Sequence, residues 1–280
     1  MDDATITNED FRQFREYFYR RTGIYFDDSK RYFVDRRLAE RIRAHGDTQF
    51  RRYFTFLRFQ ASGEEFQVLT NLMTVNETYF FREASQLRCL VESILPEIVA
   101  RKQPTQPVRI WCVPSSSGEE PYSMAIHLLE SWPALASWNV EITASDIDTD
   151  VLAAAARAVY AKRSVQHVPA PLLGKYFEPC GQGSYALRES IKSVIDFTQV
   201  NIADLEQTRS YRGFDVIFCR NLLIYFDDLS RRKAAEMFFD ALSPGGFICL
   251  GHSESMSRIT PIFHVRKFPQ NIVYQRPEDQ

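Results

Sequence analysis

At 280 residues, 45% of them hydrophobic and 14% aromatic, the chain is long enough to bury one large core or two modest ones, and two are expected. The formal net charge of -2 excludes a whole-chain field for nucleic acid or an anionic membrane, so electrostatic recognition must be local. No apolar run approaches the ~18 residues needed to span a bilayer, and the opening MDDATITNED lacks a basic n-region and an apolar h-region; a cytoplasmic protein without membrane insertion is the expectation.

From Thr7 to about Ala100 the 3.6-residue period and the cap signals predict helices only. Thr7 with Asp10 reads as an acidic capping box for a helix that Gly23 stops. A second helix, 28–45, carries Val34, Leu38 and Ile42 on one stripe; others are predicted at 48–60, 63–73 and 85–101, before a polar, proline-bearing linker at 102–107. Beyond it strands alternate with helices, which predicts a parallel sheet with flanking helices. Strands are predicted at 108–113, 140–144, 195–200, 215–219, 247–251 and 271–274, with a small antiparallel insertion at about 176–194 that includes Tyr185 to Leu187 and Ile191 to Val194.

The chemistry concentrates where the first strand ends. Its apolar run breaks into Ser115, Ser116, Ser117 and Gly118, then opens a helix with Glu119, Glu120 and Pro121 in its first turn. The second strand ends in Ser145 and Asp146, and an acid at that position of an open α/β sheet holds ribose hydroxyls. A helix N-terminus suits an anion, but Glu119 and Glu120 repel a pyrophosphate while accepting from an amino group or a sugar hydroxyl. The GxGxxG of dinucleotide sites is missing, so a cofactor with a ribose and a zwitterionic amino acid fits better than NAD; the plainer alternative is that the two Glu only stabilise the helix start. The strand from Phe214 ends in Arg220 and Asn221 where the crevice of such a sheet lies. GHSES resembles a nucleophile elbow, yet Ser255 stands where GxSxG needs Gly, which argues against a serine hydrolase. Five Cys without ligand spacing read as buried free thiols, and no metal site is expected.

NETYFFRE, WCVPSSSGEEPYS, ASDID, FDVIFCRNLLIYF, LSPGGFICLGHSES and NIVYQR, in this order, resemble the CheR family of chemotaxis receptor glutamate O-methyltransferases. The resemblance covers Thr7 to Tyr274 and implies an all-α N-terminal domain (residues 1–83), a connecting helix and linker (84–107) and a Rossmann-like S-adenosylmethionine-dependent methyltransferase domain (108–280) with the β insertion. It implies that Asn76, Thr78 and Arg82 reach the cofactor, that Glu119 and Glu120 flank it, and that Asp146 takes the ribose. It further implies Asn201 and Ile202 at the adenine, Asn221 and Leu222 at the methionyl end, and Tyr225 beside the transferred methyl, with Arg82 and Tyr225 as the catalytic pair. An aromatic plug is the alternative for Tyr225. The implied reaction is attack of a receptor glutamate γ-carboxylate on the sulfonium methyl, giving a glutamate methyl ester and S-adenosylhomocysteine. A carboxylate with pKa near ~4.3 is already ionised at neutral pH, so no general base is required, and none of the five His is assigned a role.

Between Phe11 and Arg58 thirteen Arg or Lys stand against six Asp or Glu. Arg36, Arg37, Arg41 and Arg43 are therefore expected to receive the acidic helical bundle of a chemoreceptor, against the alternative of a solvated face paired to Asp35 and Glu40. Two departures stand out. Val113 and Pro114 replace the family's small residue, and the short loop 178–183 predicts substrate recognition independent of a C-terminal tether. A monomer is expected. A cofactor-binding regulatory homologue without turnover is the alternative function, and a nucleic-acid methyltransferase is opposed by the modest basic surplus and the lack of an NPPY-type motif.

Overall fold

The computed structural model describes residues 6–278; Met1 to Thr5, half of the opening stretch read for a leader, lie outside the described residues. Four helices come first: α1 Asn8–Thr22, α2 Arg31–Ala44, α3 Phe50–Phe59 and α4 Glu64–Met73. The capping box forms, with Asp10 N–H donating to Thr7 Oγ1 at 3.1 Å and Thr7 N–H to Asp10 Oδ2 at 3.0 Å. Gly23, at φ 73°, ends α1 in the left-handed region. The predicted second helix begins as a 3-10 turn, Asp28–Lys30, because Asp27 caps Ser29 and holds the entry outside α geometry.

Phe11, Phe14 and Phe18 of α1 pack on Val34, Leu38 and Ile42 of α2 and on Tyr53, Phe54 and Leu57 of α3. A partly buried ion pair crosses this unit: Arg41 Nε and Nη2 donate to Glu65 at 2.9 and 2.7 Å, and the Tyr53 hydroxyl donates to the same carboxylate at 2.6 Å. The predicted helix 85–101 is interrupted, Ala84–Cys89 passing through a π-helical turn, Leu90–Ile94, into Leu95–Val99. Pro96 has no N–H for the carbonyl four residues back, and the widened turn sits beside that gap.

Among the described residues ten strands follow: β1 Val108–Cys112, β2 Val140–Asp146, β3 Val159–Ala161, β4 Phe177–Pro179, β5 Ser184–Leu187, β6 Ile195–Gln199, β7 Phe214–Cys219, β8 Leu242–Leu250, β9 His264–Phe268 and β10 Asn271–Gln275. The main sheet has the order β6-β2-β1-β7-β8-β10-β9. Its first five strands pair in parallel, while β10 runs antiparallel to β8 and to β9, so the sheet is mixed rather than parallel throughout. β9 was not predicted; it is mostly exposed and joins β10 through a tight turn with Gln270 at φ 62°, which only an antiparallel hairpin permits. The small sheet has the order β3-β5-β4. Its third strand is β3, not the predicted 191–194, where the chain forms the helix Glu189–Lys192 and only Ile191 is buried.

Among the described residues the buried apolar side chains form two clusters, but the sheet separates them, not the boundary between helical and sheet regions. Trp111, Ile217 and Cys219 point to the face that continues into the α1–α4 core, and Ile110, Cys112 and Phe218 to the other. Cys89, Cys112, Cys219 and Cys249 are buried free thiols, and Cys180 is exposed. Glu65→Ala should leave the partly exposed Arg41 guanidinium and the Tyr53 hydroxyl without their acceptor, and is expected to lower unfolding free energy by about 2 kcal/mol. Tyr53→Phe should cost only about 1 kcal/mol, and urea denaturation measures both.

Candidate functional site

The site lies at the carboxyl ends of β1, β2 and β7, at the point where strand order reverses on either side of β1. Asp146 ends β2 and is buried; its Oδ2 accepts from Ser116 N–H at 2.8 Å and its Oδ1 from Asp148 N–H at 3.0 Å. Burial pushes its pKa up to about 6. The β1 turn needs a glycine. Gly118 stands at φ 92°, and a Cβ there would lie 2.9 Å from the Tyr122 ring and 3.0 Å from the Ala155 Cβ.

Two recesses meet here and share Asn76, Pro114, Asn221 and Tyr225. The first is apolar, walled by Phe26 and Phe33 of the helical region and by Val113, Ile147, Ile202 and Leu222, with Asp146 and Asn201 at its edge. The second is polar and holds Thr78, Arg82, Ser115, Ser116, Glu120 and Arg220. The structure thus brings together all the residues assigned to cofactor and catalysis except Glu119, whose carboxylate accepts from Ser117 Oγ at 2.7 Å and lines neither recess. Asn201 is tied back by its amide, which donates to the Arg21 carbonyl at 2.5 Å.

The arginines of α2 also line neither recess. Arg41 is held by Glu65, an ion pair across helices rather than the local pairing weighed from sequence. Arg37 donates to the Leu72 carbonyl and lies 3.5 Å over the Phe33 ring. Those two charges are committed internally.

Three carboxylates without an assigned role shape the site. Glu83, in the left-handed region at φ 55°, and Glu120 clamp the buried Arg220 at 3.1 and 2.6 Å. Burial raises the Glu120 pKa against the opposing pull of Arg220. Glu120 Oε1 and Arg220 Nε are buried without hydrogen-bond partners among the described residues. Glu254, from GHSES, accepts from the N–H groups of Asn221 at 2.8 Å, Leu223 at 2.8 Å and Gly251 at 2.9 Å, which fixes Asn221 at φ 58°. Asp148 accepts from Thr74 Oγ1 at 2.6 Å and from the Asn76 amide at 2.7 Å, so Asn76 joins the helical region to the Asp146 turn. The motif letters of GHSES and ASDID were the available signal; which backbone N–H each acid meets is not encoded locally.

The helical region also pins the loop that carries Tyr225. Tyr25 N–H donates to the Tyr225 carbonyl at 3.0 Å, and the Tyr19 hydroxyl to Asp227 at 2.9 Å. Burial keeps the Tyr225 phenol above its ordinary pKa and therefore neutral at pH 7.

Family comparison agrees with this layout. The family described as "CheR methyltransferase, SAM binding domain" matches residues 76–272, and "CheR methyltransferase, all-alpha domain" matches residues 9–74. The chain is 54% identical over 277 residues to "Chemotaxis protein methyltransferase 2" of Vibrio cholerae, covering 99% of this chain and 96% of that one. It is 40% identical to "Chemotaxis protein methyltransferase 2" of Pseudomonas aeruginosa, over 89% of this chain and 87% of that one. It is 35% identical to "Chemotaxis protein methyltransferase" of Salmonella typhimurium, over 93% and 88%. With a nearly full-length match and both family segments in order, the chain belongs to the CheR methyltransferase family, a family of S-adenosylmethionine-dependent methyltransferases.

Proposed function

We propose that this methyltransferase esterifies glutamate side chains on the cytoplasmic helices of chemoreceptors. The observation that carries the reading is the meeting of an apolar and a polar recess at Asn76, Asn221 and Tyr225. The residues present suit S-adenosylmethionine. Phe26, Phe33, Ile202 and Leu222 form an apolar slot for the adenine, with Asp146 at its edge for the ribose. In the polar recess the orphaned Glu120 Oε1 suits the cofactor's ammonium, and Arg82 suits its carboxylate or that of the acceptor.

When bound, the cofactor supplies an electrophilic sulfonium methyl. The protein's part is to bring an already ionised acceptor carboxylate out of water and into line, a task of proximity and desolvation that asks for no base. Arg82, whose guanidinium donates to the Glu77 carbonyl at 2.8 Å, orients charge at the mouth. Neutral Tyr225 offers a hydroxyl beside the junction of the recesses, and Arg220 offsets one of the two negative charges of Glu83 and Glu120 beneath it. Substrate recognition without a tether is supported by the β4–β5 turn. Gly181, Gln182 and Gly183 all take positive φ there and close it tightly.

Incubation with methyl-labelled S-adenosylmethionine and a receptor cytoplasmic fragment lacking any C-terminal tether should give label that mild base releases as methanol. Base-stable label, or labelling confined to tethered fragments, would refute the ester chemistry or the tether independence respectively. A second outcome concerns pH. Only the ionised Asp146 carboxylate accepts from both ribose hydroxyls, so affinity should be full above its pKa of about 6 and lost below it. Calorimetry should find cofactor binding about tenfold weaker at pH 5 than at pH 7 in the wild type. Asp146→Asn should be weak and flat across that range.

A further inference from the structure

A third recess opens on the far side of the short turn Leu223–Tyr225, lined by Arg231, Arg232, Arg258, Ser253, Ser255 and Ile224. Ile224, 45% exposed, lines this recess and both of those described above, so the three are contiguous across one apolar side chain. Arg231 is part of the wall, its Nε donating to the Leu223 carbonyl at 2.9 Å and its Nη1 to Asp228 at 3.1 Å. Arg232 and Arg258 are exposed, and neither guanidinium has a hydrogen bond or ion pair among the described residues. The acids at this place do not answer them: Asp228 is paired to Arg231, and Glu254 is turned to three backbone N–H groups. Two open guanidinium groups therefore face solvent beside the acceptor mouth, while Arg37 and Arg41 of α2 are held inside the fold.

Resting on the reading of the acceptor as a glutamate on a receptor helix, we propose that this recess is a second carboxylate subsite, which takes an acidic side chain on the same helix face as the target. Successive same-face residues on a helix recur every turn, about 5.4 Å along the axis. A helix laid across Ile224 with its target carboxylate in the polar recess thus carries its neighbouring turns over Arg232 and Arg258. Ile224 meets the apolar flank of that helix, and the guanidinium forks match a carboxylate in two-point geometry. The subsite selects glutamates by their acidic context, and it acts on binding of the receptor, not on the methyl transfer itself.

The test compares wild type with R232E/R258E, both substitutions on exposed side chains, using the same receptor fragment and methyl-labelled cofactor. The reversal should raise KM for the receptor about tenfold, with kcat and cofactor affinity unchanged. The reversal R157E/K267E, on exposed positions elsewhere, should leave KM where it is. A receptor fragment with the acidic residue one or two turns from the target changed to Lys should raise KM for wild type and restore it for R232E/R258E. Unchanged KM in R232E/R258E, or an equal rise in the control reversal, would overturn the subsite while leaving receptor methylation standing. No base-labile label with wild type would overturn the acceptor reading and the subsite together.

Discussion

The turn from Asp146 to Asp148 joins two jobs in three residues. Asp146 accepts N–H groups from the β1 loop and from Asp148, and Asp148 accepts from Thr74 and Asn76 while capping the helix Thr149–Arg157. Around it, Asn71 exchanges hydrogen bonds with Thr149, and Gln67 donates to the Ile147 carbonyl. Buried acids are tolerated here because each oxygen is met by donors; an unmatched one would cost several kilocalories. The seating of α4 against the sheet and the aim of the Asp146 carboxylate are therefore set by one hydrogen-bonded network.

Charge in the polar recess follows a different rule. Glu83, Glu120 and Arg220 lie close together with little exposure, which leaves the cluster with one surplus negative charge. That surplus, beside Arg82 at the mouth, suits a ligand that is itself zwitterionic, with an ammonium for the acids and a carboxylate for Arg82. The sheet positions these groups without contributing chemistry of its own. β7 ends at Arg220, and Glu254 holds the following turn so that Asn221 and Tyr225 face the junction.

Much of this was legible from local signals. The α1 cap, the parallel strands and the Asp146 position each rest on short-range patterns, so the helical region, the sheet and most of the residues that line the two recesses could be placed from motif order. What failed were features set by distant partners. β9 is a solvent-facing edge strand whose pairing with β10 leaves no burial alternation to read, and β3 is three residues long. Arg41 looks like a surface cation on α2 until Glu65 and Tyr53 are brought to it from other helices. Glu119 and Glu120 are adjacent letters, but the helix turns them roughly a hundred degrees apart, so one reaches the recess and the other lies beneath the loop.

The helical region and one face of the sheet share a single apolar core, in which Phe18, Ile24 and Phe26 belong to the same cluster as Val200, Ile202 and Phe226. The segment after α1 even forms an antiparallel bridge, Ile24 to Phe226, with the loop that carries Tyr225. Such a region is not an interchangeable module. Grafting the helices of a relative onto this sheet would carry over their outer surface but mismatch the apolar seam and the backbone contact that fixes the loop bearing Tyr225. A chimera that exchanges the exposed side chains of these helices therefore has to leave their inner faces intact.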